Sequence, residues 1–145
     1  MTLPLDDATF SPGVHAADWR AAVRAAGVDL VTARAVGRAY VDELVQQIEE
    51  AGPYCVVAPG VAVPHARASA VVRHDALAIV VLDEPVTFGH PHHDPVRVVI
   101  GLAATSPKRH LLMLAELANA LDASGVIDSL AAASTREEAV AVLRG

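Results

Sequence analysis

Seven histidines carry most of the chemistry this sequence offers, and one of them stands in an unusual place. In GVAVPHARA, Gly60 to Ala68, a run of small apolar residues stops at Pro64-His65, and Arg67 follows. A buried strand has no need of an imidazole at its end, but a site that handles phosphate does. Neutral imidazole is a nucleophile near pH 7, because its reference pKa is about 6.5. A guanidinium such as that of Arg67 pairs bidentately with phosphate oxygens. Strand ends in open α/β sheets are also where ligands bind. The competing reading of His65 is a structural histidine bonded to a loop carbonyl, and the residues alone leave both open.

His110 falls in the first turn of a helix announced by Ser106-Pro107, a cap followed by proline at the first helical position. Free N–H groups and a partial positive charge collect there, which disfavours imidazolium and favours a nearby anion. Lys108 and Arg109 add charge to the same turn. Taken alone, His110 also reads as a solvated first-turn residue. His90, His92, His93 and Asp94 form GHPHHDP, and these are metal-ligand types. Pro91 and Pro95 stiffen the stretch and no distant Cys or Glu motif completes a site, so a polar loop without metal is the preferred reading. His15 and His74 read as surface residues. Cys55, in a strand run, reads as a buried inert thiol. The sequence holds no Gly-rich P-loop, GxSxG or HExxH, so neither nucleotide nor hydrolase chemistry is supported, and no cofactor is expected.

The elements that must position these residues follow from the pattern. Asp18 caps a first helix in which Trp19, Ala22, Val23, Ala26 and Leu30 share a face, until Gly37 breaks it. A second helix buries Tyr40, Val41, Leu44, Val45 and Ile48 and ends at Gly52-Pro53. Tyr54–Ala58, Val61–Ala66, Ala76–Leu82 and Val96–Ala104 are short apolar runs that read as buried strands. Pro107–Leu121 is a helix with Leu111, Leu114, Ala118 and Leu121 on one stripe. Two shorter helices follow near Val126–Ala132 and Thr135–Leu143, the last with the Thr135/Glu138 capping-box spacing. Residues 1–16, with Pro4, Pro12 and Gly13 and no periodicity, read as a lead-in. Helices, then strands, then helices imply a single domain over residues 1–145: an α/β fold, a three-layer α/β/α sandwich with a mixed central sheet.

Bulk properties narrow the function classes. With 145 residues and 53% hydrophobic content, the chain can bury a core. A formal charge of -6 argues against nucleic-acid binding, which needs a basic face. No apolar run reaches the roughly 18–20 residues of a bilayer span, and Met1–Asp7 lacks the regions of a signal peptide. One cysteine rules out an internal disulfide. These traits lead to the expectation of a cytoplasmic protein.

From about Asp18 to Leu143 the chain resembles the enzyme IIA component of the bacterial phosphoenolpyruvate-dependent sugar phosphotransferase system, in its mannitol/fructose-type superfamily. The resemblance rests on ADWRAAVRAAG, AYVDELVQQIEEAGPYCVVAPGVAVPHAR, LDEPVTFGH with DPVRVVIGLAA, and RHLLMLAELANAL, taken in their order and spacing. The GPY…APG…PHAR and FGH…DPV blocks are most similar to the ascorbate-type branch. The resemblance implies that His65 accepts a phosphoryl group from the histidine-containing phosphocarrier protein. His65 then passes it to a cysteine of a IIB component, while the membrane IIC component imports and phosphorylates the sugar. It places a second histidine of the site on His110. Arg67 and Arg109 are added here as phosphate-binding candidates, and Val61, Val63 and Leu111 as a docking surface. Mannitol-type members carry an arginine late in the second helix, where this chain has VQQIEEAG. The ascorbate-type pattern often continues PHAR with a PEDG-like stretch, where this chain has ASAV. A regulatory phosphoacceptor, a non-catalytic interaction domain of the same fold and a His-cluster metal protein are the alternatives. A homodimer through the outer helices also stays open.

Overall fold

The computed structural model describes residues 3–67 and 71–145. Strands Thr9–Val14 (β1), Val56–Ala58 (β2), Val61–Ala62 (β3), Ala76–Val86 (β4) and Val96–Ala103 (β5) form one sheet in the order β1-β4-β5-β3-β2. β1 with β4 and β3 with β5 run parallel, whereas β4 with β5 and β2 with β3 run antiparallel. The sheet is therefore mixed, as the sequence implied. Helices Trp19–Thr32 (α1) and Ala39–Ala51 (α2) pack on one face. Helices Pro107–Asp122 (α3), Val126–Ala132 (α4) and Arg136–Arg144 (α5) pack on the other.

Burial on both faces explains why the central strands read as unbroken apolar runs. Along β4, Ala76, Ala78, Val80 and Leu82 enter the core under α1 and α2, while Leu77 and Ile79 enter the core under α3, α4 and α5. In β5, Val99 and Ala103 face the first core, and Val98, Ile100 and Leu102 the second. Small residues let α1 lie close to the sheet. A Cβ added at Gly101 would sit 3.1 Å from Ala26 Cβ and 3.4 Å from Leu30 Cδ1.

The caps form where the sequence announced them. The Asp18 carboxylate accepts from the Ala21 N–H at 2.9 Å, and the Ser106 hydroxyl from the Arg109 N–H at 3.1 Å. Thr135 accepts from the Glu138 N–H at 3.2 Å, while the Glu138 carboxylate reaches back to the Ser134 N–H at 2.8 Å. In α2 the five residues expected inward are all buried.

Three local expectations differ. The segment read as a lead-in holds β1, a strand on the sheet's edge. Pro12 and Gly13 hid it: proline is tolerated on an edge strand, and the pairing register shifts between Ser11 and Val14. Arg136 anchors this segment to α5 by donating to the carbonyls of Leu5, Asp6 and Ala8. β4 runs beyond Leu82 through the exposed Asp83, Glu84 and Pro85 to Val86. In α3 the buried residues are Met113, Leu117 and Leu121, while Leu111 is 70% exposed. The expected stripe was thus out of phase, and only Leu121 is common to both. Among the described residues no single helix is long and apolar enough to cross a membrane. Residues 68–70, most of the ASAV departure, lie outside the described residues.

Gly101→Val forces two γ-carbons against Ala26 and Leu30, which sit on a helix fixed by its own core contacts. The variant should lose about 2–3 kcal/mol of unfolding free energy, as overpacked cores do, measured by urea denaturation. A midpoint equal to wild type would mean that α1 yields freely and that the close approach carries no constraint.

Candidate functional site

The site forms where β3 ends. Pro64 has no N–H to continue a ladder, so regular pairing stops after Ala62, and the chain makes one further parallel bridge, His65 to Leu102. The Leu102 N–H donates to the Pro64 carbonyl at 3.1 Å. His65 is half-buried, and its Nδ1 lies 2.7 Å from the Val63 carbonyl. A carbonyl only accepts, so Nδ1 carries the proton and Nε2 keeps a bare lone pair. The structural reading of His65 is therefore literally present, and the same bond leaves the opposite nitrogen available for chemistry. Burial lowers the His65 pKa from its ordinary value, against an opposing upward effect of the Val63 carbonyl. The ring is neutral near pH 7.

His110 arrives from the other side of the sheet edge, in the first turn of α3. Its ring centroid lies 5.0 Å from that of His65 at an interplanar angle of 60°. The two imidazoles expected from separate parts of the sequence are thus brought into tilted contact. Burial lowers the His110 pKa as well, and the neighbouring His65 lowers it further. Its Nδ1 is buried without a hydrogen-bond partner among the described residues. Tyr54 completes the cluster, packing edge-on against His65 at 5.5 Å and 87°.

The two candidate arginines are placed differently. Arg109 Nε donates to Asp75 Oδ2 at 2.7 Å. Asp75 Oδ1 also accepts from the Thr105 N–H at 2.8 Å and the Thr105 hydroxyl at 3.0 Å. Asp75 therefore ties the start of β4 to the start of α3, the turn that carries His110. Partial burial pushes the Asp75 pKa up, but the bonds from Arg109 and Thr105 outweigh it and the net shift is downward. Arg67 is exposed and lines a cleft with Glu43, Gln46, Gln47, Glu50 and Ala66, beside the C-terminal half of α2. In that half of α2 the cleft is lined by amides and carboxylates.

The expected docking surface needs correction. Val61 and Val63 are 0% and 1% exposed and belong to the core. Leu111 is exposed as expected, and the other exposed apolar groups beside the pair are Tyr54, which packs on His65, and Leu112. Sequence reasoning also missed Tyr40, Tyr54 and Asp75 as residues of the site's surroundings. A tyrosine on a buried helix stripe is a usable signal, because its hydroxyl needs a partner.

The His90 cluster is a turn built on internal bonds. Asp94 accepts from the N–H groups of Phe88, Gly89 and His90 at 2.7–3.0 Å, and His90 Nδ1 faces the N–H groups of His92 and His93, both at 3.1 Å. No group of three His, Cys, Asp or Glu suited to a metal ion occurs among the described residues. Cys55 is buried, and burial pushes its thiol up to about 12.

A mixed sheet between helix layers, with a neutral imidazole at a strand end facing a second one at a helix start, has the build of a protein that moves an anionic group on histidine. The chain belongs to the EIIA type 2 family of the phosphoenolpyruvate-dependent sugar phosphotransferase system, whose family model matches residues 4–145. Members of this family are phosphotransferases that act in sugar uptake through a phosphohistidine intermediate. The ascorbate-specific PTS system EIIA component of Shigella boydii serotype 4 is 35% identical over 126 residues, covering 86% of this chain and 81% of that protein. Enzyme IIAMTL in its complex with phosphorylated enzyme IIBMTL from Escherichia coli superposes with a TM-score of 0.83 at 29% identity, covering 94% of each chain. The nitrogen regulatory protein IIA-Ntr of Neisseria meningitidis gives 0.78 at 28% identity, covering 98% of this chain and 96% of that one. An EIIA of this fold thus interacts with a IIB component.

Asp75→Asn should lower the unfolding free energy at pH 7 by about 1–2 kcal/mol, the range for a lost charge-assisted bond. The folded Asp75 pKa lies below its ordinary 3.8. Its contribution is therefore complete above that value and disappears as pH falls through the lowered one. The stability gap between wild type and variant should hold above 3.8 and narrow as pH falls below it in urea titrations. A constant gap would mean that the carboxylate's charge contributes nothing.

Proposed function

We propose that His65 is the phosphoryl acceptor of a sugar phosphotransferase relay, taking the group from the histidine-containing phosphocarrier protein and passing it to a IIB cysteine. The observation that carries this reading is the His65 Nδ1–Val63 carbonyl bond at 2.7 Å, which leaves Nε2 bare beside His110. The Nε2 lone pair attacks phosphorus, and the P–N bond of the donor phosphohistidine breaks. The electron pair of that bond returns to the donor imidazole. Phosphorylated His65 keeps the proton on Nδ1, so its new positive charge rests against the Val63 carbonyl.

Little covalent work falls to the protein in such a transfer; positioning and charge stabilisation carry it. An unpartnered acceptor is more easily buried than an unpartnered N–H, so His110 holds its proton on Nε2. From there it donates to the phosphoryl oxygens, aided by the N-terminus of α3 and by Lys108. Arg67, exposed two residues after His65, pairs with phosphate oxygens during transfer, whereas Arg109 holds the α3 turn through Asp75. The exposed Tyr54, Leu111 and Leu112 supply the apolar contacts on which the two partners dock in turn.

The sugar is proposed to be ascorbate or a related acid, after the ascorbate-specific relative. The domain acts in the cytoplasm, upstream of a membrane IIC component. A regulatory role is the second reading, supported by the likeness to IIA-Ntr. His65 serves both, and onward transfer to a IIB cysteine separates them.

With phosphoenolpyruvate, enzyme I and the phosphocarrier protein, the wild type should gain one acid-labile phosphoryl group by intact mass. His65→Ala should gain none, and His110→Ala should gain it about 10²–10³-fold more slowly, the usual loss for one stabilising donor. Full labelling of His65→Ala would move the acceptor elsewhere. The rate of acceptance should be level from about pH 8 down to the reference imidazole value and fall only below it, because burial lowers the His65 pKa. A midpoint above pH 7 in single-turnover assays would contradict a desolvated acceptor.

A further inference from the structure

The segment that carries His65 is fastened from one direction by β5 and from another by a residue of α2. Tyr40 is 1% exposed. Its hydroxyl donates to the Leu102 carbonyl at 2.8 Å and accepts from the Ala66 N–H at 3.3 Å. Leu102 is also the residue whose N–H holds the Pro64 carbonyl and whose strand position pairs with His65. The residues before and after His65 are therefore both tied to Leu102, the first directly and the second through the Tyr40 oxygen. Burial raises the Tyr40 phenol to about 12, so the hydroxyl keeps its proton and remains both donor and acceptor at any working pH.

We propose that Tyr40 is a positioning residue for phosphoryl transfer: its hydroxyl holds the Pro64–Ala66 backbone at the one setting in which the His65 ring bonds the Val63 carbonyl and presents Nε2. The proposal rests on His65 being the phosphoryl acceptor. The geometry supports it over a general packing role. A phenylalanine would fill the same volume in the α2 core, whereas the hydroxyl serves only the Ala66 N–H beyond the site strand and the Leu102 carbonyl of β5. Among the described residues the Tyr40 hydroxyl is the acceptor that meets ordinary hydrogen-bond geometry for the Ala66 N–H, which also faces the Leu102 carbonyl across the bridge. Without the hydroxyl, the Ala66 peptide has to seek water or turn toward Leu102. Either movement rotates the adjacent His65 backbone and lengthens the Nδ1–Val63 bond.

Tyr40→Phe tests this, beside Ile79→Val, which trims the opposite core and leaves the site alone. Two readouts are taken: the single-turnover rate of phosphoryl acceptance, and the His65 tautomer from imidazole ¹⁵N shifts. In wild type the Nδ1–H tautomer should dominate and the Ala66 amide should be protected from exchange. In Tyr40→Phe the tautomers should mix, and the rate should fall about 10–100-fold, the scale of loss from a displacement of about 1 Å. Ile79→Val should keep the wild-type tautomer and a rate within about twofold. Equal loss of rate in both variants, or an unchanged tautomer in Tyr40→Phe, overturns the proposal. Should Tyr40→Phe not fold, an unprotected Ala66 amide or mixed tautomers in wild type overturn it instead, and the expected protection supports it. If wild type takes up no phosphoryl group, the acceptor reading fails, while the tautomer data still decide whether Tyr40 sets the His65 ring.

Discussion

The backbone of Leu102 is the fixed point of this molecule's chemistry. It lies in β5, buried in the middle of the sheet between β4 and β3, with its side chain in the core under α3, α4 and α5. Its N–H holds Pro64 and its carbonyl holds the Tyr40 hydroxyl. β3 itself is only two residues long, too short to define a site by its own ladder. What makes the end of β3 rigid is that the next residues continue to lean on β5 after regular pairing has stopped. Proline forces that arrangement: it removes the N–H at the position where a longer strand would have continued, and the backbone carries His65, half-buried, past the end of β3 against β5.

The electrostatics follow from the same placement. A half-buried imidazole beside another half-buried imidazole disfavours a proton on both. Desolvation therefore holds both rings neutral, and His65 adds to the effect on His110, at the start of a helix whose N-terminal turn attracts negative charge. An anionic group resolves this frustration, since it gives the helix terminus and the second imidazole a partner. Asp75 does not spoil the effect, because its charge is already committed to Arg109 and Thr105. The carboxylate organises the turn and is neutralised in doing so.

Much of the frame was legible in the sequence because the relevant signals are local. Asp18, Ser106 and Thr135 cap the helices that they announced, and the α2 stripe from Tyr40 to Ile48 is buried as its spacing required. Where long-range packing decides, the local signal fails. In α3, LLMLAEL offers more than one apolar stripe at helical spacing. The phase is set by which side meets the sheet, and Met113, Leu117 and Leu121 meet it, which turns Leu111 out to solvent beside the His110 turn. β1 was missed because Pro12 and Gly13 break its pattern, and only pairing with β4 makes it a strand. The histidine pair could be named through the family resemblance and its strand-end and helix-start positions. Tyr40 and Asp75 could not, since the hydrogen bond from Tyr40 spans 62 residues and that from Arg109 to Asp75 spans 34.

The two histidine clusters show how the same side chain acquires opposite duties. In the His90 turn, the ring nitrogen Nδ1 faces two backbone N–H groups, and the turn is held together by that lone pair and by the Asp94 carboxylate. The lone pair is consumed by the fold. In His65, Nδ1 is instead a donor to a carbonyl, so the fold consumes the proton and leaves the lone pair on Nε2 unspent. Composition offered metal-ligand types in the His90 cluster, yet the stiff Pro91–Pro95 stretch read as a polar loop, whereas the strand-end position of His65 left a site and a structural residue both open. Reactivity depends on which nitrogen the backbone engages and with what polarity. A carbonyl within reach of Nδ1, at a strand end kept in register by Leu102 and Tyr40, makes an imidazole available for group transfer.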